Sequence, residues 1–404
     1  MVVYYNCHPY TWEFCRNILQ SQYLLIGFKV IYNLWVMSVS DIKEKIAASL
    51  DFLKPKDPPI IGLDISASAI KMVEIDATGK GMYRVERYTI EPLPKDSVVD
   101  GNITNFDAVS DALKVCWKRM GTRIKNVAMA LPAAAVITKK VILPGNQREE
   151  DMEFQVQSEA NQYIPFNLDE VNLDFQVIGQ SPNSPDEVEV LIAASRKEKI
   201  EDRIAVAQAA GLKTIVMDVE SFAMQTAFEL IKGQLKASSE NPVYGIVDVG
   251  STMMRMTLLN KDQAIYVREQ HIGGNHLTQE ISSHYGMSYE EAEGAKRNGN
   301  LPENYYSDVL QPFVEKLSVE VSRALQFFFT STQFNKVDHI VLTGGCALLS
   351  GLEEKIAAQT QTHCVIANPF SNMALSQRIK PRQLTQDAPA LMVACGLAMR
   401  RFDE

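Results

Sequence analysis

Two stretches of the sequence bring an aspartate to the end of an apolar run and follow it with small, often hydroxylic residues. In residues 60–75 (IIGLDISASAIKMVEI), Asp64 precedes Ser66, Ala67 and Ser68, with Lys71 further on; in residues 244–259 (YGIVDVGSTMMRMTLL), Asp248 precedes Gly250, Ser251 and Thr252. Small residues let backbone N–H groups approach an anion closely, and hydroxyls add donors. An aspartate beside phosphates has a natural role in holding Mg2+ through water. One such hairpin is ordinarily just a turn. A pair, one in each half of the chain, is an internal repeat and predicts two similar lobes facing each other across a cleft.

Two further stretches carry weaker signals. Residues 340–351 (IVLTGGCALLSG) read as a strand, then Gly344, Gly345 and Cys346, then a helix start. Glycines there let a flat nucleoside pass close to the backbone, although an ordinary strand-to-helix turn has the same look. Ser350 with Glu353 fits a capping box, which would account for the local sequence without any ligand. In residues 288–297 (SYEEAEGAKR), Ser288 and Glu291 make a second capping box, and Glu293 and Lys296 share a helix face. Taken alone this is a solvated charged helix. Gly273 and Gly274 nearby form another candidate phosphate-side turn. His271, His276 and His284 have spacings that suit no helical metal pair, so structural or surface roles are expected. Among the six cysteines no pair is spaced as CxxC, which predicts reduced, mostly buried thiols.

The elements that must position these residues follow from periodicity. Residues 60–75 read as two strands, 82–90 as a third, 105–120 as an amphipathic helix (Phe106, Val109, Leu113, Cys116, Trp117, Met120) and 127–131 as a strand. A strand at 135–143, an acidic helix near 147–163, a strand at 171–178, a polar turn at 180–187 (QSPNSPDE), a strand at 188–194 and a helix at 197–210 follow. This unit, about 135–212, reads as a small α+β insertion. Residues 214–228 return to the main body, and 233–241 form a hydrophilic connector. Strands alternating with helices give an α/β body.

A chain of 404 residues with 46% hydrophobic and 22% charged residues excludes collagen, coiled coil and wholesale disorder, and suggests two domains or one two-lobed body. The net charge of −9 argues against nucleic acid, because phosphate contacts need a basic surface. Residues 23–37 are strongly apolar but short and broken by Lys29, below the ~20 residues that span a bilayer. Neither a basic leader region nor a small-residue cleavage site is present there. We expect an over-extended N-terminus outside the fold, with a weak membrane-surface anchor as the alternative. Residues 38–53 read as a short amphipathic helix and 54–59 (KPKDPP) as a stiff linker.

Together these motifs resemble the actin-like ATPase superfamily, which also holds chaperone ATPases and sugar kinases. The first hairpin is similar to its phosphate-1 motif, the second to phosphate-2, residues 340–351 to the adenosine motif, 214–228 to connect-1 and 387–398 to connect-2. The resemblance implies that Glu220 stands where the superfamily keeps its water-orienting residue, and that Glu293 and Lys296 contact the nucleoside. Ser66 departs from the glycine many members have there, so rapid hydrolysis does not follow. Within the superfamily the sequence resembles the PilM family of type IV pilus assembly proteins, relatives of the division protein FtsA. That likeness rests on IGLDISASAIKMVEI, EANQYIPFNLDEV at 159–171, EEAEGAKRNG at 290–299 and ALMVACGLAMR at 390–400, and runs from about Pro59 to Phe402.

The resemblance implies an actin-like ATPase fold of two lobes with a nucleotide cleft. Lobe 1 would span 59–240, with an FtsA-type, SHS2-like 1C subdomain at about 135–212. Lobe 2 would span 241–404, with a 2B insertion at about 270–335. It implies a cytoplasmic scaffold, peripheral at the inner membrane, that binds ATP and Mg, with slow or absent ATPase activity. Its partners would be the N-terminal peptide of PilN and other pilus platform proteins, with self-association also open. A small-molecule kinase of the same fold is one alternative; its catalytic base is not evident, and Asp218 is the nearest choice. An FtsA-like cytoskeletal protein is the other; the chain stops at Glu404 without the membrane tail of that group.

Overall fold

Each acid-tipped repeat opens a sheet, and the two sheets are built in the same order. The computed structural model describes residues 3–4, 58–79, 81–181, 184–236, 239–261 and 263–403. The expectations for residues 23–37, the helix at 38–53 and most of the 54–59 linker lie outside the described residues. The elements below belong to one compact unit that includes Pro59–Glu404.

β1 (Ile61–Ile65) is buried at every position, as a central strand covered on both faces should be. The chain turns at residues 66–68 and returns as β2 (Ala69–Gly79) and β3 (Met82–Pro92) in an antiparallel meander. α1 (Phe106–Met120) buries Val109, Leu113, Cys116 and Met120 on one face and ends at a left-handed Gly121. Its first turn is capped by Asn105 Oδ1, which accepts from the Ala108 N–H at 3.1 Å. β4 (Asn126–Leu131) then lies parallel beside β1.

β5 (Val136–Pro144), α2 (Glu149–Tyr163), β6 (Val171–Ser181) and β7 (Ser184–Arg196) form a small unit with its own sheet, ordered β5-β7-β6. Met152 and Val156 of α2 cover Val141, Leu143, Val190 and Ile192. The polar stretch expected to turn over 180–187 is largely strand: β6 runs to Ser181, β7 starts at Ser184, and those two residues pair. The register shifts between Ser184 and Val188, so residues 185–187 bulge from the ladder with β6. α3 (Lys197–Ala209) buries Ile200, Val206 and Ala207 in the core of lobe 1 and not against the small sheet. β8 (Lys213–Val219) pairs parallel with β4 and leads into α4 (Glu220–Lys232).

Lobe 2 repeats the pattern. β9 (Val243–Val249), β10 (Met254–Asn260) and β11 (Gln263–Gln270) form the meander. α5 (Gly274–Tyr285), α6 (Tyr289–Asn298) and α7 (Gln311–Ser331) follow. β12 (His339–Thr343) pairs parallel with β9, α8 (Leu352–Thr360) crosses over, and β13 (His363–Ile366) pairs parallel with β12. The large sheet contains the run β8-β4-β1-β2-β3, and the sheet of lobe 2 runs β13-β12-β9-β10-β11. The Ser288–Glu291 capping box of α6 is formed in both directions. The Ser350–Glu353 box is not: α8 starts one residue later, from a left-handed Gly351 that has no side chain to cap with.

α9 (Pro381–Asp387) and α10 (Met392–Met399) close the chain beneath the cleft. One apolar core there joins Val73, Ile75 and Val85 of lobe 1 to Ile246, Leu259 and Val341 of lobe 2 through Phe228, Leu391 and Cys395. α10 approaches β1 and α4 at backbone contact. A Cβ on Gly62 would stand 1.9 Å from the Ala394 carbonyl oxygen, and one on Gly396 would stand 1.8 Å from that of Ala223. Gly396→Val is therefore expected to lower the free energy of unfolding by about 3 kcal/mol or more. Gly294→Ala, in mid-helix with nothing within 4 Å, is expected to raise it by about 0.5–1 kcal/mol. Urea denaturation of both variants reads the difference, and equal effects would refute the close-packed hinge.

Candidate functional site

The first hairpin is closed by Ser66, whose N–H and hydroxyl both donate to the Ala69 carbonyl oxygen at 3.0 and 2.9 Å. Ser66 is not among the described non-glycine residues with positive φ, so a serine holds this turn without backbone strain. Lys71 sits opposite Asp64 across β1 and β2. Its ammonium donates to Asp64 Oδ2 at 2.8 Å and to Ser66 Oγ at 3.2 Å. Burial works against the charged lysine, but Asp64, with Asp248 and Glu220 beyond it, overrules burial and lifts its pKa above the ordinary value.

The second hairpin is closed by the Gly250 N–H donating to the Met253 carbonyl oxygen at 2.9 Å. Asp248 Oδ1 accepts from Thr343 Oγ1 at 2.9 Å. Arg255 sits opposite Asp248 across β9 and β10, in the register that Lys71 occupies in lobe 1. It is ion-paired with Glu269 of β11 at 2.7 Å and faces Glu220 at 3.7 Å. Glu220 opens α4. Burial is the largest influence on it and raises its pKa; Arg203 and Arg255 pull against that, while Asp64 and Asp248 add to it.

The wall beside the second hairpin is built largely from backbone. Gly344 has φ +89, and a Cβ on it would stand 2.4 Å from the Val249 carbonyl oxygen and 2.6 Å from Asp248 Oδ1; beside Gly345 nothing lies within 4 Å. The Cys346 N–H donates to the Val249 carbonyl oxygen at 3.1 Å, and burial pushes its thiol up to about 11, so it stays protonated. Gly273 and Gly274 start α5, and the N–H groups of Gly274 and Asn275 donate to the carbonyls of Gly250 and Ser251 at 3.0 and 2.8 Å. Helix α5 is thereby stitched to the second hairpin. Lys296 reaches Glu293 Oε2 and Thr278 Oγ1, each at 2.6 Å, and the Gly274 carbonyl oxygen at 3.2 Å. Burial alone would raise the Glu293 carboxyl, but hydrogen bonds from Lys296 and Thr278 hold it at about 2.

A cavity of about 660 Å3 brings these groups together, within the range of small-molecule sites. Asp64, Ser66, Ala67, Ser68, Lys71, Glu220, Asp248, Gly250, Ser251, Thr252, Gly274, Glu293, Lys296, Gly344, Gly345 and Cys346 all line it. Gly273 stands just behind, where a Cβ would meet the Gly250 carbonyl oxygen at 2.6 Å. Sequence reasoning missed Arg255, Glu269 and Arg297, which also line the cavity. A signal for Arg255 was present: each hairpin aspartate is followed seven residues later by a base, Lys71 or Arg255. Asp218 is not in the cavity's lining. It is buried, accepts from Arg400 Nε at 2.6 Å, and has its carboxyl raised by burial; a kinase base is not available there. His276 Nδ1 accepts from the Gly273 N–H at 3.2 Å, a structural role. Cys116, Cys346, Cys364 and Cys395 are free thiols.

A family model described as type IV pilus assembly protein PilM matches residues 62–402. Among solved structures, the chain is similar to one described as a PilM–PilN type IV pilus biogenesis complex. The identity is 28% and the TM-score 0.72, over 87% of this chain and 100% of that one. It is also similar to ethanolamine utilization protein EutJ from Carboxydothermus hydrogenoformans, at 16% identity and a TM-score of 0.51, over 89% of this chain and 98% of that one. The architecture is the two-lobed actin-like α/β fold.

The Glu293 cluster gives a pH signature. A carboxyl depressed on folding contributes stability above its unfolded pKa and loses it as pH falls toward its folded pKa. Glu293→Gln is therefore expected to cost about 1–2 kcal/mol of unfolding free energy at pH 7, less than the full shift because the group is partly solvated. The deficit should shrink as pH falls from the ordinary glutamate range toward about 2. A deficit independent of pH in chemical denaturation would refute the ion-pair account.

Proposed function

The chain belongs to the type IV pilus assembly protein PilM family, and from that premise we propose that it is an ATP-binding scaffold that docks the N-terminal segment of a PilN partner. The observation that carries the nucleotide half is the convergence of both acid-tipped hairpins and the Gly344–Gly345 wall on one cavity. The residues fit Mg-ATP. The turns at Ser66, Ala67, Ser68, Gly250, Ser251 and Thr252, with Lys71, offer donors and charge to phosphates. Open space beside Gly345 suits a flat base, with Glu293, Lys296 and Cys346 near it, while Gly273 and Gly274 back the second hairpin as a phosphate-side turn. Among the described residues there is no cluster of three or more His, Cys, Asp or Glu that could hold a metal. Asp64 and Asp248, one from each lobe, suit an ion bound through water and substrate phosphates. Bound Mg2+ would neutralise phosphate charge. Glu220 would orient a water at the phosphate end, and its engagement with Arg255 fits slow turnover.

A second cavity, of about 380 Å3, supports the partner half. It lies between the small β5-β7-β6 unit and lobe 1, lined by Ile137, Ile164, Phe166, Val171 and Ala194, with Arg196 and Lys199 beside them. Arg196 stacks over the Phe166 ring at 5.2 Å. Apolar pockets beside a sheet suit an extended peptide, and the similar solved structure is described as a complex with PilN. Among the described residues no helix is long and apolar enough to cross a membrane. Attachment at the cytoplasmic face of the inner membrane would come through such partners.

Calorimetry should show Mg-ATP binding by the full chain, weakened about tenfold or more by Asp248→Ala, the worth of one charged contact. Equal affinity would sink the placement of the site. A synthetic PilN N-terminal peptide should bind the wild type and lose about tenfold or more in affinity to Phe166→Asp, with Mg-ATP affinity kept. Unchanged peptide binding would put the groove elsewhere.

A further inference from the structure

The internal repeat extends beyond the two aspartates. Each hairpin also presents a base directly across the strand pair from its acid, Lys71 opposite Asp64 and Arg255 opposite Asp248. The two bases are held differently. Lys71 stays with its own aspartate at 2.8 Å. Asp248 is engaged by Thr343 instead, and Arg255 turns to Glu269 of its own lobe and to Glu220 of the opposite lobe. Arg255 is thus a tie across the cleft, with a side chain only 15% exposed.

Charge decides what this tie can be for. Asp64, Glu220, Asp248 and Glu269 all line the cavity. A triphosphate brings several more negative charges into the same confined space, where like charges repel strongly. Lys296 and Arg297 both pair with Glu293 on their own helix, whereas Lys71 and Arg255 are the bases carried by the hairpin strands themselves, each in register with its aspartate. A guanidinium matches phosphate oxygens in a bidentate fork. The weaker of its two carboxylate contacts is the one across the cleft, 3.7 Å against 2.7 Å. Glu220 is also the partner for which burial disfavours charge.

We infer that Arg255 is the phosphate-binding base of lobe 2, the counterpart of Lys71, and that an arriving phosphate takes it from Glu220 and so releases the tie between the lobes. This rests on the nucleotide reading above and adds to it a residue and a consequence. Glu220 becomes free to act on water only once phosphate has claimed Arg255, and the lobes exchange a side-chain clasp for one that runs through the ligand.

The test is a double-mutant cycle on the full chain, with Mg-ATP affinity read by calorimetry and unfolding midpoints recorded for every variant without nucleotide. Arg255→Gln should weaken binding about ten- to a hundredfold, and Arg255→Lys should recover part of that loss. Glu220→Gln should tighten binding severalfold by releasing Arg255, and that gain should vanish in the Arg255→Gln background. A residue that only braces the fold would shift the midpoints and leave the cycle additive. If Arg255→Gln binds within twofold of wild type while Asp248→Ala loses binding, this inference fails and the nucleotide reading stands. If Glu220→Gln keeps its gain without Arg255, the inference also fails. Absence of binding by the wild type would overturn the nucleotide reading and this one with it.

Discussion

Confined negative charge is the constraint around which the two lobes are arranged. Four of the six carboxylates that line one cavity come from β1, α4, β9 and β11. Burying a carboxylate without a partner costs several kcal/mol, and the structure supplies a partner to each. Lys71 holds Asp64, Thr343 holds Asp248, and Arg255 is shared between Glu269 and Glu220. Arg203 completes the set from behind: it is buried, and its guanidinium donates to the carbonyls of Ile65 and Gly101 at 3.5 and 3.0 Å. Burial lowers its pKa, while Glu220 and Asp64 act to keep it charged. The lining holds more carboxylates than the four bases Lys71, Arg255, Lys296 and Arg297, so an added polyanion is favoured by bringing a cation or displacing a carboxylate.

That balance needs the acids held in fixed positions, and the hinge provides them. β1 carries Asp64 and is pressed against α10 at Gly62; α4 carries Glu220 and is pressed against α10 at Gly396. Either glycine replaced by a larger residue would push a carboxylate-bearing element outward. Because close-packed interiors relax only partly, such a change would act on charge spacing in the cleft as well as on stability. Asp218 and Arg400, paired at 2.6 Å, fasten the end of the strand before Glu220 to the residue just after α10. A buried ion pair there reads as fixation of the Glu220 end, and not as chemistry.

The sequence made the repeated strand–acid–turn–strand legible because β periodicity and a central buried strand leave a plain pattern. The residues brought together at the cavity were readable for the same reason: turns must be small where a ligand meets backbone. What stayed hidden depended on pairing across distance. Arg255 sits in a largely apolar strand (MRMTLLN), and only the register opposite Asp248 and the neighbouring β11 gives its side chain an address. Ser350 and Glu353 fit a capping pattern locally, but the chain's approach through a left-handed Gly351 moved the helix start. Residues 180–187 looked like a turn because prolines and acids mark turns; the chain does reverse within them, but strand reaches Ser181 on one side and resumes at Ser184 on the other, with a register shift before Val188. α3 follows the small sheet in sequence, yet its apolar face belongs to lobe 1, a choice made by packing.

The same helix α3 joins the two cavities. Lys199 lines the apolar groove, and Arg203, one turn later, reaches the carbonyl of Ile65 beside Asp64. Residues four apart share a helix face, so one rigid element has a hand in both sites. The wall between them is thin as well, since Asp100 and Ala134 line both cavities. Asp100 and Gly101 both have positive φ, and a Cβ on Gly101 would stand 2.3 Å from the Pro132 ring, which leaves that turn little room to move alone. Arg203 donates to the carbonyls of both Gly101 and Ile65, so the turn between the cavities and the first hairpin share one side chain of α3. In the function proposed above, peptide in the groove and phosphate in the cleft would compete for, or agree on, one position of α3. By linkage, whatever one ligand does to the affinity of the other must be returned in equal measure.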